Sequence, residues 1–502
     1  YALHRTKMHS SVVLLCCAVV AVSAQDQWQR QDQQQFDQNQ NSGDTCCEEY
    51  CYVRDEDPYI NFATATAYDS LNRRSGNQHV VPDCTPVQFW TIIRHGTRLP
   101  NATKIVRLSN LNKLHEEVSR NYEQRNSYPD RGRLCREDYD LFRRWRWNDT
   151  ITPEREFSLT SQGMEDMKLL ARRYKSKYPQ LLQQQYDEKS FYFQYTNTER
   201  IQTSYQAYIE GLFGSEAYRI HANTNNDDKL VKPYENCKKW EENLEDVSNN
   251  RNEYMRYIER SEFKQMERDI FRRLGFRFNL NSSTITDIYD LCRYEKAWNV
   301  QQRSAWCIAF NKNQLKMLEY AEDLRYYYKT GYGNKMSERI GCGPIKDMYE
   351  RFDRTVNGNS DGNKATFLFT HSETILSLIT ALGIARDNEA PTADNFYQQA
   401  RRNWKTSVLD PFASNLAATL YEFILGAVQM KKYRVMFFLN EVPVEFPECS
   451  VGLCNWSAFQ QKFQSISDNC NVEGFCSGNS ASSLYLNYLS FVFAVLVLYF
   501  RF

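Results

Sequence analysis

Arg94, His95, Gly96 and Arg98 fall within one run of five residues, Arg94-His95-Gly96-Thr97-Arg98. Each guanidinium can fork two oxygens of a tetrahedral anion. Gly96 carries no side chain, so the backbone can come close to that anion. The imidazole between the two arginines is then free to attack phosphorus, which is nucleophilic phosphoryl-transfer chemistry. An isolated Arg-His-Gly tripeptide is more often a basic surface loop, so the weight rests on its surroundings. Further along, Arg200 and the run His371-Ser372-Glu373 add two groups suited to phosphate and one carboxyl. A carboxyl kept neutral by burial can protonate an alkoxide, which otherwise leaves phosphorus poorly.

These side chains need strands and helices to hold them. Residues 87–93 form an apolar run rich in β-branched and aromatic side chains, and it reads as a buried strand ending at Arg94. In an open α/β sheet ligands gather where strands end, so Arg94, His95 and Arg98 belong at a mouth. Residues 191–195 predict a second strand that leads through Arg200 into a helix over 201–213. Helix N-termini favour anions, and Arg200 adds a full charge there; the alternative is a solvated arginine balanced by Glu199. Residues 365–370 predict a third buried strand with His371 at its end, followed by a helix over 374–382 stopped by Gly383. A helix capped by Thr160 or Ser161 carries Met164, Met167, Leu170, Ala171 and Tyr174 at helical spacing and ends at Pro179. Helical patterns over 253–274, 288–297 and 313–329, with few strand signals between them, predict an α-helical insertion. Its Lys238-Lys239 and Arg272-Arg273 pairs could line a polyanion pocket, but most such residues read as solvated faces and none is assigned.

The seven residues Arg94-His95-Gly96-Thr97-Arg98-Leu99-Pro100 resemble the RHGxRxP signature of the histidine acid phosphatases. The resemblance implies an α/β fold with a histidine-phosphatase core, phosphoglycerate-mutase-like, in which a mostly parallel sheet is flanked by helices and carries an inserted α-helical cap domain. It implies a phospho-histidine on His95, with Arg94 and Arg98 as phosphate clamps. The family also has an arginine before a serine and a helix ending in Gly-Leu-Phe, matched by Arg200, Ser204 and Gly211-Leu212-Phe213. By the same resemblance His371 is a phosphate-binding cation and Glu373 the proton donor. Many members carry His-Asp at this point. Multiple inositol polyphosphate phosphatases carry His-Ala-Glu, and His371-Ser372-Glu373 is similar to that pattern with serine for alanine. Residues 410–415 and apolar runs at 419–425 and 433–439 look like the closing part of the fold, so the resemblance spans roughly 83–447.

The implied activity is hydrolysis of inositol hexakis- and pentakisphosphate, without cofactor or metal because the guanidiniums supply the positive charge. A broad acid phosphatase or 2,3-bisphosphoglycerate phosphatase would share the core. A non-catalytic surface binding module on the same scaffold is disfavoured because each catalytic residue is present. The expected organisation is a catalytic core over 46–110, 156–236 and 360–448, with a helical cap over 111–155 and 237–359.

Equal numbers of basic and acidic residues, 62 of each, leave no overall field to attract nucleic acid or an anionic membrane. Residues 11–21 are apolar and Val22-Ser23-Ala24 are small, the pattern of a secretory signal, with Tyr1 to Lys7 read as extra residues before Met8; extra residues and signal together occupy 1–24. The Gln/Asn-rich stretch 25–45 cannot bury enough apolar surface to offset its ordering entropy and reads as disordered. Thirteen of the 15 cysteines lie beyond the signal and read as disulfides, with one left over. In the cysteine-bearing tail, 449–480, the spacing suggests Cys449 with Cys454 and Cys470 with Cys476. Glycosylation triplets begin at Asn101, Asn148, Asn281 and Asn455. Ser477, Gly478, Asn479 and Ser480 precede an apolar tail, 481–502, in the order of a glycolipid (GPI) anchor signal, which is preferred to a tail-end transmembrane helix because the apolar stretch is short and interrupted. The expected location is the cell surface through the secretory pathway, with secretion or the endoplasmic reticulum lumen as alternatives.

Overall fold

The apolar run expected at 87–93 is the middle of a ten-residue strand, β1 (Thr85–Arg94), in the computed structural model of the chain. The described residues run from 51 to 477, apart from 55–59, 73–80, 82, 125–131, 183–184, 224–227, 236, 251, 426–429 and 450–451. The signal, the Gln/Asn-rich stretch, Cys46, Cys47, Gly478, Asn479, Ser480 and the apolar tail lie outside the described residues.

β1 is followed by β2 (Phe191–Tyr195), β3 (Ala365–Thr370), β4 (Asn415–Leu425), β5 (Met430–Leu439), β6 (Val442–Pro443) and β7 (Leu453–Asn455). They form one sheet in the order β2-β3-β1-β4-β5-β6, with β7 also on β5. The first three strands are mutually parallel, whereas β4 and β5 run antiparallel to their neighbours, so the sheet is mixed rather than mostly parallel. β4 ends at Leu425 and β5 starts at Met430, a separation too short for the crossover that a parallel pair needs.

Both faces of the central strands are buried, and alternate residues feed different layers. Phe89, Ile93, Phe367 and Phe369 pack with Met167, Leu170 and Tyr174 of α1 (Ser161–Lys177) and with Tyr208 and Leu212 of α2 (Glu199–Phe213). Trp90, Ile92 and Leu368 face the other way. A separate body of helices includes α3 (Ser282–Trp298) and α4 (Lys312–Thr330), packed around Trp306, Phe310, Leu291 and Leu324. The second sheet face is covered by α5 (Ser337–Val356), α6 (Ser372–Leu382) and α7 (Trp456–Asp468), through Ile345, Phe352, Leu376, Ile379 and Phe459. Each fully buried side chain of this size contributes roughly 1.5–3 kcal/mol relative to exposure.

The sequence division placed 237–359 in the cap, but α5 within it lies on the sheet and packs along α6. Gly341 makes this crossing possible, since a Cβ there would meet the Ser377 carbonyl oxygen at 2.2 Å.

Disulfides join Cys51 to Cys135, Cys237 to Cys476, Cys292 to Cys307, Cys342 to Cys470, and Cys449 to Cys454. Cys449–Cys454 closes as expected. Cys470 and Cys476 do not pair with each other, because the short helix between them sets them against α5 and the start of the segment at 237. Cys84 is half-buried and forms no disulfide. Among the described residues no helix is long and apolar enough to cross a membrane.

Candidate active site

Strand register brings the separated motifs together. Arg94 at the end of β1 pairs with Thr370 at the end of β3, and Tyr195 at the end of β2 pairs with Phe369. His95, His371 and the segment leading to Arg200 therefore leave the sheet side by side, at the edge where open α/β sheets bind ligands. Two helix N-termini, of α2 and α6, begin there and add their partial positive charge.

The loop after β1 is held by α1 and α2. The Gly96 N–H donates to Ser204 Oγ at 3.1 Å, and Ser204 donates to the Arg200 carbonyl at 2.7 Å. A Cβ on Gly96 would lie 2.5 Å from the Gly163 carbonyl oxygen, and one on Gly163 would lie 2.1 Å from that of Thr97. The sequence reading gave Gly96 to the anion; its absent side chain in fact admits the backbone of α1. Thr97 donates to Asp166 Oδ2 at 3.1 Å, and burial raises the pKa of Asp166 to about 6. Beyond it, Leu99 N–H donates to the Ser158 carbonyl and Phe157 N–H to that of Pro100, a two-stranded pairing that fixes Phe157 with φ of 59°. Such a backbone is uncommon for an aromatic residue and persists only where its surroundings hold it.

Three arginines converge. Arg94 is buried, its Nη1 donates to the carbonyls of Thr64 and Asp410 at 2.7 Å each, and its guanidinium lies 5.0 Å from the centre of the Phe412 ring. Arg98 and Arg200 lie 5.2 Å and 5.0 Å from the centre of the same ring, that of Phe157. Their Nε atoms, and that of Arg94, are buried without a hydrogen-bond partner, so each retains a donor for an added oxygen. Burial and the neighbouring Arg98 lower the pKa of Arg200 to about 10, still charged at any working pH.

His95 sits among them, 3% exposed, with its ring 5.7 Å from that of His371. Nδ1 is 2.9 Å from the Gly96 carbonyl oxygen, so the proton belongs on Nδ1 and Nε2 holds a lone pair. Burial first, then Arg94, Arg98 and His371, push its pKa well below the usual imidazole value. The ring is thus a neutral nucleophile.

His371 lies 3.3 Å through Nδ1 from Arg200 Nη2, and its Nε2 has no partner. It was expected to be a cation, but burial and Arg200 lower its pKa to about 3, so it is neutral here. Glu373 was expected to be a neutral acid. Burial acts in that direction, yet Lys329 of α4 donates to Oε1 at 2.8 Å and, with the α6 N-terminus and His371, brings the pKa down to about 2. In this state Glu373 is an ionised partner of Lys329.

Asp410 opens the run 410–415, to which the sequence reading gave no catalytic role. It is fully buried, with the nearest cation Arg94 Nη1 at 3.6 Å from Oδ2. Burial raises its pKa to about 7, only partly offset by Arg94 and Ser372. It therefore holds a proton below neutral pH. Lys329 and Phe157 also escaped the sequence reading: one is an ordinary helical lysine by pattern, the other a loop aromatic. Cap helices reach the site twice, through Lys329 and through Trp298 Nε1, which donates to the Arg98 carbonyl at 3.1 Å.

The remaining site candidates lie elsewhere. Asn101, Asn148, Asn281 and Asn455 are all exposed, Asn101 and Asn281 as helix N-caps. Ser477 is exposed at the end of the helix that carries Cys476. Among the described residues one cluster has metal-binding spacing, Cys51, Cys135 and Glu137, and its sulfurs are joined in a disulfide.

A family profile described as the histidine phosphatase superfamily (branch 2) matches residues 87–440. A multiple inositol polyphosphate phosphatase 1 of Drosophila melanogaster is 35% identical over 441 residues, covering 87% of this chain and 92% of its own. The human protein of that name is 25% identical, with 85% and 90% covered. Among solved structures, a phytase from D. castellii superposes with a TM-score of 0.60 at 19% identity, covering 79% of this chain and 83% of its own. The multiple inositol polyphosphate phosphatase of Bifidobacterium longum, solved with inositol hexasulfate, gives 0.56 at 16% identity, with 78% and 94% covered. Both likenesses bear on the fold.

Proposed function

The chain belongs to the histidine phosphatase superfamily (branch 2), and from that membership we propose that it removes phosphate from inositol hexakis- and pentakisphosphate through a phospho-histidine on His95. One observation carries the reading: a buried neutral imidazole, its Nδ1 on the Gly96 carbonyl, lies beside Arg94 and Arg98, with Arg200 next to them, and all three guanidiniums keep an unpartnered Nε. In the proposed reaction Arg94, Arg98, Arg200 and His371 hold the phosphoryl oxygens while His95 Nε2 attacks in line. The Gly96 carbonyl, accepting from Nδ1, stabilises the ring as it becomes cationic. Glu373 protonates the departing inositol oxygen, and water then breaks the P–N bond. The names of the full-length relatives support the inositol polyphosphate substrate.

The test is to follow phosphate release from inositol hexakisphosphate and phenyl phosphate side by side, using the wild type and His95→Ala. The reading expects wild-type turnover of both, faster kcat/KM on the hexakisphosphate, and none by the variant. Preference for phenyl phosphate or bisphosphoglycerate would move the substrate to the broader class; turnover by the variant would remove His95 as nucleophile.

We further propose passage through the secretory pathway to a glycolipid-anchored surface location. The signal pattern over 8–24, the disulfides, the exposed triplets at Asn101, Asn148, Asn281 and Asn455, and the tail beyond Ser477 support it. Release of activity from cells by a phosphatidylinositol-specific phospholipase is the expected result, and retention on the cells would refute the anchor.

A further inference from the structure

Glu373 and Lys329 come from opposite sides of the mouth. Glu373 is in the first turn of α6 on the sheet, and Lys329 is in the last turn of α4 in the helical body. Their 2.8 Å ion pair is 24% and 37% exposed, at an edge open to solvent. A carboxylate paired this closely carries no proton, yet the step assigned to it needs one. The other groups facing it are His371, Arg200, Tyr234, Tyr326 and Asp410, and none offsets the ammonium. Something must therefore move Lys329. Lysine is a single charge on a flexible stem, and the partial exposure of this pair lets an incoming anion reach the ammonium. A substrate phosphate, with nearly two charges and three acceptor oxygens, competes well for it.

We propose that Lys329 is a substrate-operated switch on the acid, drawn off Glu373 by a phosphate group neighbouring the scissile one. The proposal rests on the His95 and Glu373 roles given above and deepens them. Once freed, Glu373 takes a proton from solvent. As the P–N bond to His95 forms, the P–O bond breaks, its electron pair stays on the inositol oxygen, and that oxygen takes the Glu373 proton. Water then attacks phosphorus, returns a proton to Glu373 and breaks the P–N bond. A lone monoester offers no second phosphate, so Lys329 stays and the acid remains ionised. Preference for polyphosphorylated substrates follows from the ion pair itself.

The test measures kcat against pH for inositol hexakisphosphate and glycerol 2-phosphate, which share an alkoxide leaving group and differ in neighbouring phosphates. Full-length wild type, Lys329→Met and Lys329→Arg are compared. Activity that needs a protonated Glu373 falls as pH rises through its pKa. In the wild type the falling limb for glycerol 2-phosphate should lie at least about one pH unit below that for the hexakisphosphate. Lys329→Met should raise the glycerol 2-phosphate limb by about one unit or more, a gain of about tenfold at fixed pH on that limb, and raise KM for the hexakisphosphate. Lys329→Arg, keeping the charge, should keep the separate limbs. Comparing variants on one substrate cancels the substrate's own titration. Coincident wild-type limbs, or an unmoved glycerol 2-phosphate limb in Lys329→Met, would overturn the switch. A wild type inactive on hexakisphosphate would instead overturn the substrate reading, while the glycerol 2-phosphate limb would still decide whether Lys329 governs the acid.

Discussion

Replacing Asp410 by asparagine keeps its shape and the backbone carbonyl that orients Arg94, but removes a buried ionisable group beside the anion site. Its native pKa of about 7 lies above the ordinary 3.8. Raised acid pKa values invert the usual carboxylate case: the native state holds the proton more tightly than the unfolded chain, so this group lowers stability as pH rises from about 4 to 7. At 1.36 kcal/mol per unit the full cost is about 4 kcal/mol at pH 8, and about 2 kcal/mol is already present at pH 5. Asp410→Asn should therefore gain about 2 kcal/mol over wild type on going from pH 5 to pH 8. Guanidinium denaturation of both proteins at the two pH values measures the gain directly. The same reasoning expects kcat/KM at pH 5 to change by less than about tenfold, because the wild-type group is already protonated there. A stability difference independent of pH, or a large loss of turnover at pH 5, would show that Asp410 is ionised in the native site.

Two further substitutions test neighbouring parts of the argument. Glu373→Gln should slow release of an inositol oxygen by about 10²-fold or more while affecting p-nitrophenyl phosphate far less, since nitrophenolate leaves without a proton; equal losses would take Glu373 out of the acid role. Gly96→Ala places a methyl group 2.5 Å from the Gly163 carbonyl oxygen, so the loop or α1 must shift, and thermal unfolding should show a loss of about 1–3 kcal/mol with a matching fall in kcat. Unchanged stability would mean that the loop-to-helix contact is looser than described.

The parts legible in the sequence were those with strong local pattern. Strands at 191–195 and 365–370 were placed to the residue, and the helix with Met167, Leu170 and Tyr174 was read with its cap, because burial on one or both faces imposes an unambiguous period. α5 is absent from the expected helices; its interior carries Gly341, Gly343 and Pro344, residue types that weaken a helical pattern, although Gly341 is what lets that helix touch α6. The residues at the mouth were found through their motif, but their charge states were not. His371 and Glu373 each differ from expectation because ionisation depends on which distant groups arrive beside them, and Lys329 and Arg200 are 44 and 171 positions away in the chain. Phe157 was invisible for a similar reason, since nothing local marks a ring that supports two guanidiniums.

The two long disulfides give the molecule an uneven response to cutting and to reduction. Cys237–Cys476 and Cys342–Cys470 tie both ends of the 237–342 stretch to one short segment, 470–476. A protease nick within that stretch would leave both fragments covalently joined until a thiol reagent is added. Reduction would unpin the 470–476 segment from α5 and from residue 237, leaving it joined to α7 by the backbone, and would break no covalent bond at Arg94, His95, Arg98, Arg200, His371 or Glu373, so loosening of that segment and loss of turnover are separable events.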